Sequence, residues 1–179
     1  EETVLFATVP AVGTIRSLDE GETWEVVHEY RGQNDVLMAA NQTKVAYTAQ
    51  AGRGGKNVWR TTDGGDTWTS CFRMFGDRSN VERSWVQTEI HWGYYITPLG
   101  FGASRSDPNL VMVSTQGDFY ISRDGGETWQ QSMNIPVGVK PGDPGYRYKS
   151  NGLEVTSSWR YYFDPADHNR RYIAYTDIG

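Results

Sequence analysis

The sequence predicts an all-β chain built from repeats. Three observations carry that prediction. One eight-residue phrase occurs three times, short runs of β-branched and aromatic residues flank each copy, and no segment sustains a capped helical period. The phrases span Ser17–Trp24, Thr61–Trp68 and Ser122–Trp129, and their shared pattern is Ser/Thr-x-Asp-x-Gly-x-Thr-Trp.

Each element can be justified in chain order. A β-rich run precedes every phrase: Val4–Val9, Lys44–Ala49 and Leu110–Ser114. A second run leads into it: Gly13–Ser17, Asn57–Thr61 and Asp118–Ser122. A third leaves it: Trp24–Tyr30, Trp68–Phe72 and Trp129–Met133. These residue types fit a pleated, half-buried surface, and turn residues separate them.

The phrase itself reads as a tight turn between two strands. Asp19, Asp63 and Asp124 are placed to accept backbone N–H bonds one to three residues ahead, as in Asx-type turns. Gly21, Gly65 and Gly126 supply a positive φ. Trp24, Trp68 and Trp129 open the outgoing strand as apolar anchors whose indole N–H needs an acceptor. An acid used for chemistry would not recur at the same turn of every repeat, so these aspartates read as structural.

The phrase resembles the Asp-box, or BNR repeat, of sialidases, xyloglucan-cleaving glycoside hydrolases, sortilin-type receptors and a photosystem assembly factor. The resemblance implies a β-propeller in which the box closes a blade hairpin away from the ligand face. A fourth unit begins near Phe163, where Phe163-Asp164-Pro165 parallels Ser106-Asp107-Pro108. The expectation is one partial β-propeller domain over residues 1–179, an arc of about three and a half four-stranded blades. A seven-bladed ring of such repeats would need roughly 300 residues. The chain has 179, so it reads as a fragment of a longer protein.

Bulk properties narrow the function. Net charge is −5 and the isoelectric point about 5.2, which disfavours nucleic acid or an anionic membrane as main partner. No apolar run is long enough to span a bilayer. Cys71 is the single cysteine, which fits neither a disulfide framework nor a zinc site. His28, His91 and His168 are scattered, so no metal is expected, and no nucleotide or phosphate fingerprint points to a cofactor.

Two long connections, Met74 to about Arg105 and Asn134 to about Tyr162, hold the candidate binding residues. These are Trp85, His91, Trp92, Tyr94, Tyr146, Arg147 and Trp159. Aromatic faces cover the C–H face of a pyranose, and charged groups bond its hydroxyls. The same aromatics also suit packing between blades, and both readings stand at this point. Asp35, Glu82, Glu89, Asp143 and Glu154 are acids outside the boxes, but no sequence feature pairs two of them for glycoside hydrolysis. No Arg-Ile-Pro stretch of the sialidase kind occurs. The texture resembles the xyloglucanase group more closely, where the catalytic pair is split between two propellers.

The resemblance therefore implies a carbohydrate-active propeller that recognises or cleaves a glycan on its loop face. The alternative is a noncatalytic propeller that binds a protein or peptide. Either way the chain alone is expected to be inactive, and the rest of the ring or a second chain is expected to close it. The resemblance also implies a secreted or periplasmic location.

Overall fold

A computed structural model describes residues 3–29, 33–39, 41–50, 57–84, 98–115, 118–138, 144–151, 157–167 and 169–176. Among them there are strands and no helix. The first sheet is β1 (Leu5–Val9), β2 (Gly13–Ser17) and β3 (Glu25–His28). The second is β4 (Gln33–Met38), β5 (Ala46–Gln50), β6 (Val58–Thr61) and β7 (Thr69–Ser70). The third is β8 (Pro98–Ala103), β9 (Val111–Thr115), β10 (Phe119–Ser122) and β11 (Gln130–Gln131). Two hairpins follow: β12 (Asn134–Val137) with β13 (Arg147–Ser150), and β14 (Ser157–Phe163) with β15 (Arg171–Thr176). Every sheet is an antiparallel meander in chain order.

The repeat fixes the correspondence between sheets. β1, β2 and β3 match β5, β6 and β7, and these match β9, β10 and β11, because each eight-residue phrase joins the last two strands of its sheet. β4 and β8 are the additional first strands. β14 and β15 match β8 and β9.

Two first strands lie where the sequence reading placed none or only a connection. β4 begins with the polar run Gln33-Asn34-Asp35, and β8 is Pro98-Leu-Gly-Phe-Gly-Ala103, rich in glycine. Neither carries the alternation that marks a half-buried strand. Their backbone pairing with β5 and β9 holds them, with a register irregularity near the start of each. The second long connection likewise contains β12, β13 and β14.

The fourth unit also sits in a different register from the one the Asp-Pro pairs suggest. In the turn after β8, Leu110 N–H donates to Asp107 O, and the Asp107 carboxylate accepts from Asn109 N–H. In the turn after β14, Arg170 N–H donates to Asp167 O, and the Asp167 carboxylate accepts from Asn169 N–H. Asp167, not Asp164, is thus the counterpart of Asp107. Asp164 takes the place of Ser104, whose hydroxyl caps the same turn.

The sheets stack face to face as blades. β9 and β10 are buried along their whole length, as strands covered on both faces must be. The main core lies between the second and third sheets and joins Tyr47, Val58 and Phe72 to Val111, Val113, Tyr120 and Trp129. Phe72 meets Tyr120 and Trp129 edge-on, with ring centroids 5.4 and 5.1 Å away. Burying each such side chain stabilises the fold by about 1.5–3 kcal/mol. The other face of the third sheet packs Met112, Phe119 and Ile121 against Leu110 and Phe163 at the end of β14.

This meander sorts the connections by end. The three phrases and the turns after β4, β8 and β14 share one end of the blades. The turns after β1 and β9 and both long connections leave from the other.

Candidate functional site

At the box end, the three phrases share one hydrogen-bond scheme. The hydroxyl of Ser17, Thr61 or Ser122 accepts the N–H of Gly21, Gly65 or Gly126 at 2.8, 2.9 and 2.7 Å. It donates to one carboxylate oxygen of Asp19, Asp63 or Asp124 at 2.7 Å. That oxygen also accepts the N–H of Thr23, Thr67 or Thr128 at 2.9–3.0 Å. The threonine hydroxyl donates to the second oxygen. The aspartate thus reaches four residues ahead rather than one to three, because two consecutive positive-φ residues (Glu20-Gly21, Gly64-Gly65 and Gly125-Gly126) let the chain double back before the threonine.

This scheme holds the carboxylates ionised. The Thr23 hydroxyl and amide and the Ser17 hydroxyl lower Asp19 to about 2. The corresponding groups of Thr67 and Thr61 lower Asp63 well below the usual range. Burial works against ionisation of Asp124, but its bonds from Thr128 and Ser122 outweigh it and the net shift is downward. With both carboxylate oxygens engaged inside their own turn, the box aspartates form turn clamps.

The tryptophans differ from box to box. Trp24 is 44% exposed and donates to Gly21 O within its own turn. The first box has no preceding sheet among the described residues to lie against, so Trp24 does not act as a buried anchor. Trp68 packs on the first sheet, stacked on His28 at 5.6 Å and edge-on to Phe6 at 6.0 Å. Trp129 is fully buried against the second sheet and donates to Cys71 O at 2.7 Å. Burial pushes the Cys71 thiol up to about 12, so it stays protonated and packs as a small apolar group.

From the third box, the chain after β7 runs along the third sheet toward the opposite end. Asn80 ties Cys71 O to Gly126 O and Glu127 O through its side-chain amide. Val81 then bridges Trp129 in parallel, and Ser84 reaches Asp118. Asp118 is 1% exposed and accepts from Ser84 Oγ at 2.7 Å and Tyr120 OH at 3.0 Å. Burial raises it to about 7, although both hydrogen bonds pull the other way. The sequence reading passed over Asp118. Its place at a strand start just after Gly117 was the available signal. Its enclosure makes it a brace between the first long connection and the third sheet.

Among the proposed binding residues, Tyr146 and Arg147 stand together at the tip and start of the β12–β13 hairpin. The Tyr146 and Tyr148 rings meet edge-on with centroids 5.3 Å apart, and exposed Arg147 lies between them in sequence. Gly138, at φ +125°, closes the hairpin against Tyr146, whose Cα lies 3.0 Å from where a Cβ would stand. Trp159 falls on β14 at the register irregularity between Ser158 and Arg160. Trp85, His91, Trp92 and Tyr94 lie outside the described residues, as do Glu89, Asp143, Glu154 and His168. Asp35 and Glu82 are both exposed, on β4 and beside β11. Among the described residues, no group of three or more His, Cys, Asp or Glu could hold a metal ion, and no helix is long and apolar enough to cross a membrane.

The BNR/Asp-box repeat family model matches residues 120–131, which take in the third box. No curated protein matches the chain in sequence. Among solved structures, an ancestral GH74 enzyme aligns over 95% of this chain and 20% of its own, with a TM-score of 0.57 and 11% identity. The GH74 xyloglucanase from Xanthomonas campestris aligns over 84% of this chain and 27% of its own, with a TM-score of 0.48 and 13% identity. YCF48 bound to D1 peptide aligns over 98% and 59%, with a TM-score of 0.48 and 15% identity. The chain therefore spans about a fifth of the length of the first of these structures. The meander of stacked sheets and the likeness to the ancestral GH74 enzyme give the chain the all-β fold of a partial β-propeller, and it carries a BNR/Asp-box repeat.

Proposed function

We propose that this chain is part of a carbohydrate-active propeller and that a glycan is recognised at the end of the blades opposite the boxes. The observation that carries this reading is the β12–β13 hairpin. It presents Tyr146, Arg147 and Tyr148 as one unit on the end where both long connections emerge. Half-buried tyrosines offer ring faces to a pyranose without losing much side-chain entropy, and an exposed guanidinium bonds hydroxyl or carboxylate groups. Glycoside hydrolysis is the finer claim. It needs two carboxyl groups within about 5–10 Å across one bond, and a site shared with other blades would supply the second.

A glycan array probed with the chain, followed by titration of the best ligand, tests this. Tyr148→Ala should weaken binding at least tenfold while thermal stability stays within about 2 °C of the parent. Binding that is unchanged in Tyr148→Ala, or no glycan bound at all, removes the reading.

A second reading rests on a different surface. Tyr162 and Tyr172 face each other across β14 and β15 and are 49% and 52% exposed. Such a pair suits coverage by polypeptide, as a peptide-binding propeller or a ring-closing partner would provide. Light scattering tests it: a concentration-dependent dimer that Tyr162→Ser disperses supports association through this pair, and a monomer at all concentrations opposes it.

A further inference from the structure

The box-end seams contain an arginine at one repeated position, and its surroundings change between seams. Arg16 on β2 pairs in register with Glu25, and Arg60 on β6 pairs in register with Thr69. Both reach toward the box of the following sheet. Arg16 binds the Glu25 carboxylate at 2.7 Å, the Asp66 carboxylate at 2.7 Å and Gly64 O at 2.7 Å. Its charge is therefore met from two sides.

Arg60 keeps only one of those two carboxylates: Thr69 stands where the first seam has Glu25, and Glu127 takes the place of Asp66 without reaching ion-pair distance. Among the described residues Arg60 forms no ion pair. Its Nη2 donates a long bond to Asn109 Oδ1 at 3.4 Å, and its buried Nε–H meets no acceptor. The guanidinium lies over Gly125, where a Cβ would come within 2.5 Å of Cζ, so only glycine admits it. The Tyr47 ring, with its centroid 5.9 Å from the guanidinium carbon, meets part of the charge, but a half-buried cation without a counterion is still only partly compensated.

A groove of about 240 Å³ opens beside this arginine. Its wall includes Arg60, Arg73, Thr62, Thr67, Thr69, Ser70 and the carboxylate-bearing Glu127. Arg73 is held by bonds to Arg78 O and Ser70 O, so its position is set by the fold. Two guanidinium groups and several hydroxyls against one carboxylate leave the groove net positive. We propose that this groove binds a single oxyanion, such as sulfate, phosphate or the carboxylate of an acidic sugar. The anion takes the role that the Glu25 carboxylate plays in the preceding seam. Planar, forked donors favour such groups, and the hydroxyls complete the coordination.

The test uses the whole chain and three probes, namely sodium sulfate, sodium phosphate and sodium glucuronate, each against sodium chloride at equal ionic strength. Thermal unfolding reads the result. The parent should gain roughly 3 °C at ten times the half-saturating concentration. Thr69→Glu restores the missing carboxylate, so it should unfold at or above the parent temperature and lose the anion-specific gain. This variant also removes the general salting effect of sulfate from the comparison, since that effect acts on both proteins alike. Glu127→Gln removes the opposing carboxylate and should tighten anion binding several-fold. A response to sulfate and phosphate but not glucuronate assigns the groove to inorganic anions, and the reverse assigns it to an acidic glycan. Equal gains in the parent and Thr69→Glu, or no gain over chloride with any probe, overturn the proposal.

Discussion

Trp129 and Cys71 are joined across the seam between the second and third sheets, the indole N–H donating to the carbonyl at 2.7 Å. One side chain of the third box is thereby fastened to the backbone of the sheet before it. Trp129→Phe should remove that bond and leave a gap beside Phe72, at a cost of about 2–4 kcal/mol. Trp24→Phe should cost less than about 1 kcal/mol, because Trp24 is exposed and bonds only its own turn. Urea denaturation of both variants measures the contrast, and equal losses would contradict it.

The glycines of the boxes are not equivalent. A Cβ on Gly126 would stand 2.8 Å from both Cβ and Sγ of Cys71, with φ at +90°. A Cβ on Gly64 would meet nothing within 4 Å, with φ at +79°. Gly64→Ala should therefore cost only the left-handed backbone strain, about 1–2 kcal/mol. Gly126→Ala should cost clearly more, since the seam itself must open. The difference between the two midpoints in denaturant is the quantity to measure.

The first box carries a glutamate where the others carry glycine. Glu20 sits at φ 62°, the position of Gly64 and Gly125. Glu20→Gly should relieve the strain and raise stability by about 0.5–1 kcal/mol, although glycine also loosens the unfolded chain. A decrease in melting temperature would show that the Glu20 side chain contributes a contact larger than the strain.

The pH profile should have two opposed limbs. Asp19 and its counterparts have lowered folded pKa values, so their stabilisation is present above about pH 4. It is lost as pH falls, for Asp19 through about 2. Asp118 is raised to about 7, so its protonated form is favoured in the fold. Its contribution is complete below about pH 4 and declines as pH rises through 7. Asp118→Asn should flatten the profile between pH 4 and 7, by at most about 4 kcal/mol. Unfolding curves at pH 4, 5.5 and 7 for parent and variant decide it; parallel profiles would refute the assignment.

Much of the fold could be read from residues because the turn is encoded by side-chain bonds within eight positions. Asp63, Gly65 and Thr67 specify their loop without help from the rest of the chain. β4 and β8 escaped notice for the opposite reason. Gln33 and Gly100 state no strand preference, and pairing with β5 and β9 imposes it. Asp118 escaped because its environment comes from Ser84, 34 positions away. Arg60 was invisible as a site, since its meaning lies in a missing counterion that only comparison with Arg16 exposes.

The position occupied by Arg16 and Arg60 is filled in the third sheet by Ile121, paired with Gln130 and packed near Phe163. Over their shared apolar packing, three successive junctions thus differ at this one position, which carries ion pairs, a cation without a counterion and hydrocarbon. Linear arrays hold together through nearest-neighbour coupling, so each junction sets how independently its neighbours open. Ionic strength acts on the first, specific anions on the second and temperature on the third. Added salt should uncouple the amides of β1–β3 from the rest in hydrogen exchange while those of β9 and β10 keep their protection. Cooperativity in this chain is then a property that the medium adjusts one joint at a time.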